Sequence, residues 1–113
     1  MPDPSAEDAK LLTLARSARA RTGAAEGASV RDLDGRTYAA ATVDLPSLRV
    51  SALALAVAMA SSSGSRGLEA AALVTNAGTV TDGDVAVVRD FAGAGVPVLR
   101  ADARGDLLGT TES

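Results

Sequence analysis

The chain contains no cysteine and no histidine. No disulfide can staple it, and no thiolate or imidazole is available to hold zinc. Serine–histidine hydrolysis is excluded for the same reason. Lysine occurs once, at Lys10, which leaves serine–lysine chemistry without a suitably placed base. Tryptophan is absent, and Tyr38 and Phe91 are the only aromatic side chains. Bases would find no stacking platform here. A formal net charge of −3 also argues against a nucleic-acid surface, so no nucleic acid is expected as a partner. The most apolar stretch, Val50 to Ala60, is too short to cross a bilayer, and no membrane association is expected. Met1 to Asp8 is acidic and polar rather than basic then apolar, so it does not read as a targeting signal. A chain without cysteine sits most easily in a reducing cytoplasm, which is the expected location.

What remains is rich in small apolar residues. Of the 113 residues, 47% are hydrophobic, so alanine, valine and leucine must fill the core. The length suits one domain, residues 1–113, with 1–4 as a flexible tail. Such a domain buries roughly two thirds of its unfolded surface and needs no staple.

Ser5 followed by Asp8 has the spacing of a capping box and opens a helix. Leu11, Leu14, Ala15 and Ala18 form its apolar stripe, and Gly23 ends it. Two strands follow, Ala28 to Leu33 and Arg36 to Val43, joined at Asp34-Gly35 by an expected type I′ turn. Pro46 and Ser47 open a second helix running to Ser62, apolar on every side and so expected to be enclosed by the fold or by other subunits. Leu68 to Thr75 reads as a central parallel strand covered on both faces. Thr81 with Asp84 caps a third helix with Val85, Val88, Phe91 and Ala92 inward. Val96 to Arg100 is a strand in which Pro97 favours an edge or end position, and Asp106 to Thr110 adds a last one. The order predicts an α/β fold: a three-layer α-β-α sandwich with a mixed five-stranded sheet.

This order and several local sequences resemble the cytidine deaminase family, the small zinc-dependent, homo-oligomeric nucleoside deaminases. Asp34-Gly35-Arg36-Thr37-Tyr38 is similar to the family's Asp-Gly-Arg hairpin. Thr42-Val43-Asp44 resembles its ribose-binding Asn-Val-Glu. Ser51-Ala52-Leu53 stands near its Cys-Ala-Glu or His-Ala-Glu, and Ala71 to Thr75 is similar to the strand before its second metal motif. The resemblance implies a zinc ion held by a histidine or cysteine and two cysteines, with a glutamate as proton shuttle. This chain departs from that pattern. Ser51 takes the first ligand position in one register; in another, Leu53 takes it and Leu55 falls at the glutamate. Thr81-Asp82-Gly83-Asp84 replaces the Pro-Cys-x-x-Cys segment. These six positions, Ser51, Leu53, Leu55, Thr81, Asp82 and Asp84, are the expected remnants of the site, with no catalytic residue, no metal ligand and no cofactor.

Asp82, Asp84 and Asp90 could be read as an oxygen cage for a divalent ion, but carboxylates at a helix start are favoured by the helix dipole alone, and no second cluster completes the cage. Thr42 and Asp44 are candidate ligand-binding residues for a nucleoside-like molecule; Asp44, just before Pro46, reads more readily as a residue that positions a helix start. Two functions therefore stand. The first is a non-catalytic deaminase-like protein acting through protein contacts, chiefly a homo-oligomer, dimer or tetramer. The alternative is a nucleoside- or nucleotide-sensing module that keeps a pocket without deamination.

Overall fold

A computed structural model describes residues 3–113. The tail expected over residues 1–4 lies partly outside them; Pro4 lines a small concavity with Arg16 and Arg104. Helix α1 spans Ala6–Thr22. Ser5 Oγ accepts the Asp8 N–H, and Gly23 closes the helix at φ 65°, the left-handed conformation that glycine adopts at no steric cost. The buried stripe is Leu11, Leu12, Ala15 and Ala18, so Leu12 takes the place expected of Leu14, which faces solvent. Both leucines fit a helical period, and only the position of the sheet beneath chooses between them.

Strands β1 (Gly27–Asp32) and β2 (Thr37–Ala41) form the expected hairpin, but its turn is different. Only Gly35 has positive φ, and Asp34 does not. The Gly35 N–H donates to the Asp32 carbonyl and the Asp32 N–H to the Arg36 carbonyl. This is a three-residue loop ending in a left-handed glycine, not a two-residue type I′ turn. Asp32 explains the choice. Its Oδ1 accepts the N–H groups of Asp34 and Arg36, both at 2.9 Å, and its Oδ2 accepts the Ser65 hydroxyl at 2.6 Å. The same device recurs at Asp102, whose Oδ1 accepts the N–H groups of Arg104 and Asp106 ahead of Gly105 at φ 87°.

A second correction concerns residues 43–50. Pro46 and Ser47 do not open a helix. They turn a short ribbon of β3 (Val43–Leu45) and β4 (Leu48–Val50) that forms its own two-stranded sheet. Helix α2 starts later, at Ala52, and ends at Ser62. Pro46 fixes its own φ and keeps the preceding Leu45 extended, which the first position of a tight turn accommodates as readily as a helix start.

Strand β5 (Leu68–Val74) is the centre of the main sheet, whose order is β2-β1-β5-β6-β7. It is antiparallel to β1 and parallel to β6 (Pro97–Ala101), with α3 (Asp82–Ala92) as the crossover. Pro97 is the first residue of β6, where its missing N–H costs no ladder bond. Strand β7 (Leu107–Glu112) closes the far edge. Ala70, Ala72 and Val74 pack against α1, while Ala71 and Leu73 face α2 and α3, which gives the three layers.

Small residues let α1 lie very close to the sheet. The buried Ser29 hydroxyl reaches the Leu11 carbonyl at 2.6 Å. At Gly27, an added methyl group would fall inside contact distance of the Ala15 carbonyl oxygen and 2.8 Å from Arg19 Cβ. Both obstacles belong to the helix itself and cannot swing aside. Gly27→Ala should therefore cost about 3 kcal/mol in urea unfolding.

The Ser65 hydroxyl, with the two backbone N–H groups, holds the Asp32 carboxyl below the usual carboxylate range. A group lowered on folding contributes stability that is complete above its unfolded pKa, about 3.9, and lost as pH falls through the folded value. Melting temperature should accordingly drop below about pH 4 in the wild type. Asp32→Asn should be less stable at neutral pH and show a shallower acid decline; parallel acid profiles would contradict the assignment.

Candidate functional site

The sheet brings the starts of α2 and α3 together. Both helices begin with a hydroxyl cap: Ser51 Oγ accepts the Ala54 N–H at 3.1 Å, and Thr81 Oγ1 accepts the Asp84 N–H at 3.2 Å. The two caps are joined side chain to side chain. Ser51 Oγ donates to Asp84 Oδ1 at 2.6 Å, across thirty-three residues of sequence. Asp84 is 7% exposed, whereas Thr81 and Asp82 are open to solvent. Leu53 is completely buried in the core beneath α2, and Leu55 is half-buried on its outer side.

Thr42 and Asp44 do not join this group. Thr42 Oγ1 accepts the Glu26 N–H at 3.0 Å and so ties the end of β2 to the entry of β1. Asp44 lies on the β3–β4 ribbon, well exposed, 3.3 Å from Arg49 Nε. It positions no helix start, because the helix expected after it begins at Ala52.

Two shallow grooves flank α2 and meet at Ala58. One, of about 540 Å³, is lined by Tyr38, Leu55, Ala58, Met59, Ser62 and Ser63. The other, of about 360 Å³, is lined by Ala54, Val57, Ala58, Ser61, Val87, Asp90 and Phe91. Asp90 is the one charged residue in either lining.

Residues 4–105 match the model of the family described as cytidine deaminase-like. The chain belongs to the cytidine deaminase-like family. No curated protein matches it in sequence. Among solved structures, it is similar to a cytidine deaminase from Burkholderia pseudomallei at 21% identity and a TM-score of 0.79, over 90% of this chain and 89% of that one. One from Mycobacterium leprae has 16% identity and a TM-score of 0.73, over 97% and 94% of the two chains. One from Mycobacterium tuberculosis has 23% identity and a TM-score of 0.70, over 85% of each. At these identities the likeness is one of fold.

The family resemblance implies a zinc ion near the helix heads. The donor set present does not fit one. The chain supplies neither thiolate nor imidazole. Ser51 Oγ is occupied by Ala54 and Asp84, and Thr81 Oγ1 by the Asp84 N–H. Among the described residues, no three His, Cys, Asp or Glu side chains are grouped to hold a metal; Asp90, two turns along α3 from Asp82, lines the groove beside α2. Neither Leu53 nor Leu55 can shuttle a proton.

The Ser51–Asp84 bond and the ribbon were not visible in the sequence. Each helix start carries its own capping signal, but nothing in either signal says that the two caps face each other.

Stability should follow this division of roles. Leu53→Ala should lower unfolding free energy by about 3 kcal/mol, as for any fully buried leucine. Asp44→Ala should change it by less than about 0.5 kcal/mol, since its exposed ion pair contributes little. Urea denaturation of both variants checks the contrast.

Proposed function

We propose that this member of the cytidine deaminase-like family is non-catalytic and works through protein contacts, first among them with further copies of itself, as a dimer or tetramer. One observation carries the reading: the outer side of α2 carries no charge of its own and presents Leu55, Ala58 and Met59 beside its terminal serines, uncovered by the fold. The helix sequence, Ala52–Ser62, contains no charged residue, yet Ala58 and Met59 are exposed and Leu55 is only half-buried. A helix apolar on every side is ordinarily enclosed, and this one is enclosed on its inner side only. The β3–β4 ribbon adds to the argument. Leu45 and Leu48 at its tip are 54% and 52% exposed. Isolated two-stranded ribbons are marginal in water, and an apolar tip gains most from a partner that covers it.

The chemistry at the helix heads supports the non-catalytic half. Deamination of this type needs a metal-activated water and a carboxyl that moves protons. The positions that would supply them hold Ser51, Leu53, Leu55, Thr81, Asp82 and Asp84. The zinc site is, on this reading, lost. Among the described residues no helix is long and apolar enough to cross a membrane.

Light scattering on a sizing column should give a mass of two or four chains, and Met59→Glu or Leu48→Asp should shift it toward one. A monomer at every concentration would overturn the self-association half. Incubation with cytidine should release no ammonia, with or without added zinc, and mutation-sensitive turnover would overturn the other half. Cytidine binding that is lost in Asp44→Ala would instead support a sensing module.

A further inference from the structure

In a capping box the hydroxyl at the helix cap takes the N–H of the third residue, and the side chain of that third residue reaches back to the cap's own N–H. Helix α3 makes only the first of these bonds. Thr81 Oγ1 takes the Asp84 N–H, but the Asp84 carboxylate turns to α2 and accepts the Ser51 hydroxyl. Aspartate is one methylene shorter than the glutamate that usually closes the box. Helix α1 behaves in the same way: Ser5 takes the Asp8 N–H, and the Asp8 carboxylate goes to Arg31 on β1 at 3.1 Å. In both helices the acid of the cap serves as a tertiary link.

At α2 the link has a further property. The Ser51 hydroxyl uses both of its capacities: it accepts from Ala54 N–H within α2 and donates to Asp84 in α3. The 2.6 Å separation lies in the range of charge-assisted O–H···O⁻ bonds, and Asp84 is shielded from water. The carboxylate also sits at two helix N-termini, where the dipoles favour negative charge. We propose that Ser51 and Asp84 form a metal-independent latch that fixes the heads of α2 and α3 to one another, in the region where the family resemblance implies an ion. The disagreement between that implied ion and the residues present is thus resolved in favour of a hydrogen bond. The latch stands whether or not the chain self-associates.

The latch predicts an effect of one helix on the other. In the full chain, Asp84→Ala should speed amide exchange at Ala54, on α2, by about tenfold, because the Ser51 hydroxyl that holds this amide is no longer itself held. Asp84→Asn keeps an acceptor oxygen and should fall between wild type and Asp84→Ala. Exchange changes confined to α3, or an asparagine variant no better than the alanine one, would overturn the proposal. A urea cycle gives a second readout. Ser51→Ala should reduce the folded-to-unfolded ratio by about tenfold or more, since it removes a cap and strands a buried carboxylate. Ser51→Ala combined with Asp84→Ala should be at least as stable as Ser51→Ala alone, because the stranded carboxylate is gone. Losses that simply multiply would count against the latch. Melting temperature should not move with equimolar zinc or with a chelator; a rise on adding zinc would overturn metal independence.

Discussion

Helix α1 rests on β1 at a distance that only glycine allows at position 27, where the Ala15 carbonyl oxygen occupies the space of a side chain. The rest of the α1 layer follows from that approach. Ser29, the next residue on the same face of β1, can reach the helix backbone and bond to the Leu11 carbonyl. Arg31, next again, bridges Asp8 on α1 and Glu69 on β5. Along β1 the helix is held through a glycine, a serine and an arginine, and its leucines pack beside them on β5 and β6. A core built from alanine and valine makes this possible. Larger side chains on β5 would lift the helix away, and the polar contacts beneath it would be lost.

On the other face the same economy of size has a different result. Ala71 and Leu73 of β5, with Ala28 and Val30 of β1, give α2 and α3 a shared floor, and Leu53, Ala56 and Val57 fill the space above it. The floor sets the helix heads side by side, and their caps then meet at Ser51 and Asp84. In the cytidine deaminase-like family this is the region from which chemistry would be expected. Here Ser51 and Asp84 bond to one another and Leu53 belongs to the core, while Thr81 and Asp82 face solvent. The uncovered apolar surface lies elsewhere, along the outer side of α2 and at the tip of the β3–β4 ribbon. The contact surface proposed above rests on those two features and not on the helix heads.

Three aspartates illustrate how one residue type serves different ends. Asp32 is buried and saturated by two backbone donors and the Ser65 hydroxyl, which pins the loop after α2 to the hairpin. Asp102 repeats the turn without that burial. Asp84 begins as a helix-cap residue and ends as a contact between helices. Sequence spacing identified the helix-start role of Asp84 and the turn near Asp34-Gly35. Which second partner each carboxylate finds depends on elements far away in the chain, and spacing carries no such information.

The sequence alone determined the periodic and chemical features. It set the helix caps at Ser5 and Thr81, the stop at Gly23, the doubly covered β5, the restriction of Pro97 to an edge or end position, and the three-layer class with its five-stranded sheet. It also ruled out thiolate and imidazole ligands, because an absent residue type is absent in any fold. Those features are local or compositional, so no distant contact was needed to read them. Tertiary structure decided the rest. It chose Leu12 over Leu14 for the core, turned Pro46-Ser47 into a ribbon instead of a helix start, and left Met59 uncovered. It also joined Ser51 to Asp84. Each of these depends on which surface lies opposite a given residue, and that is settled only when the layers pack.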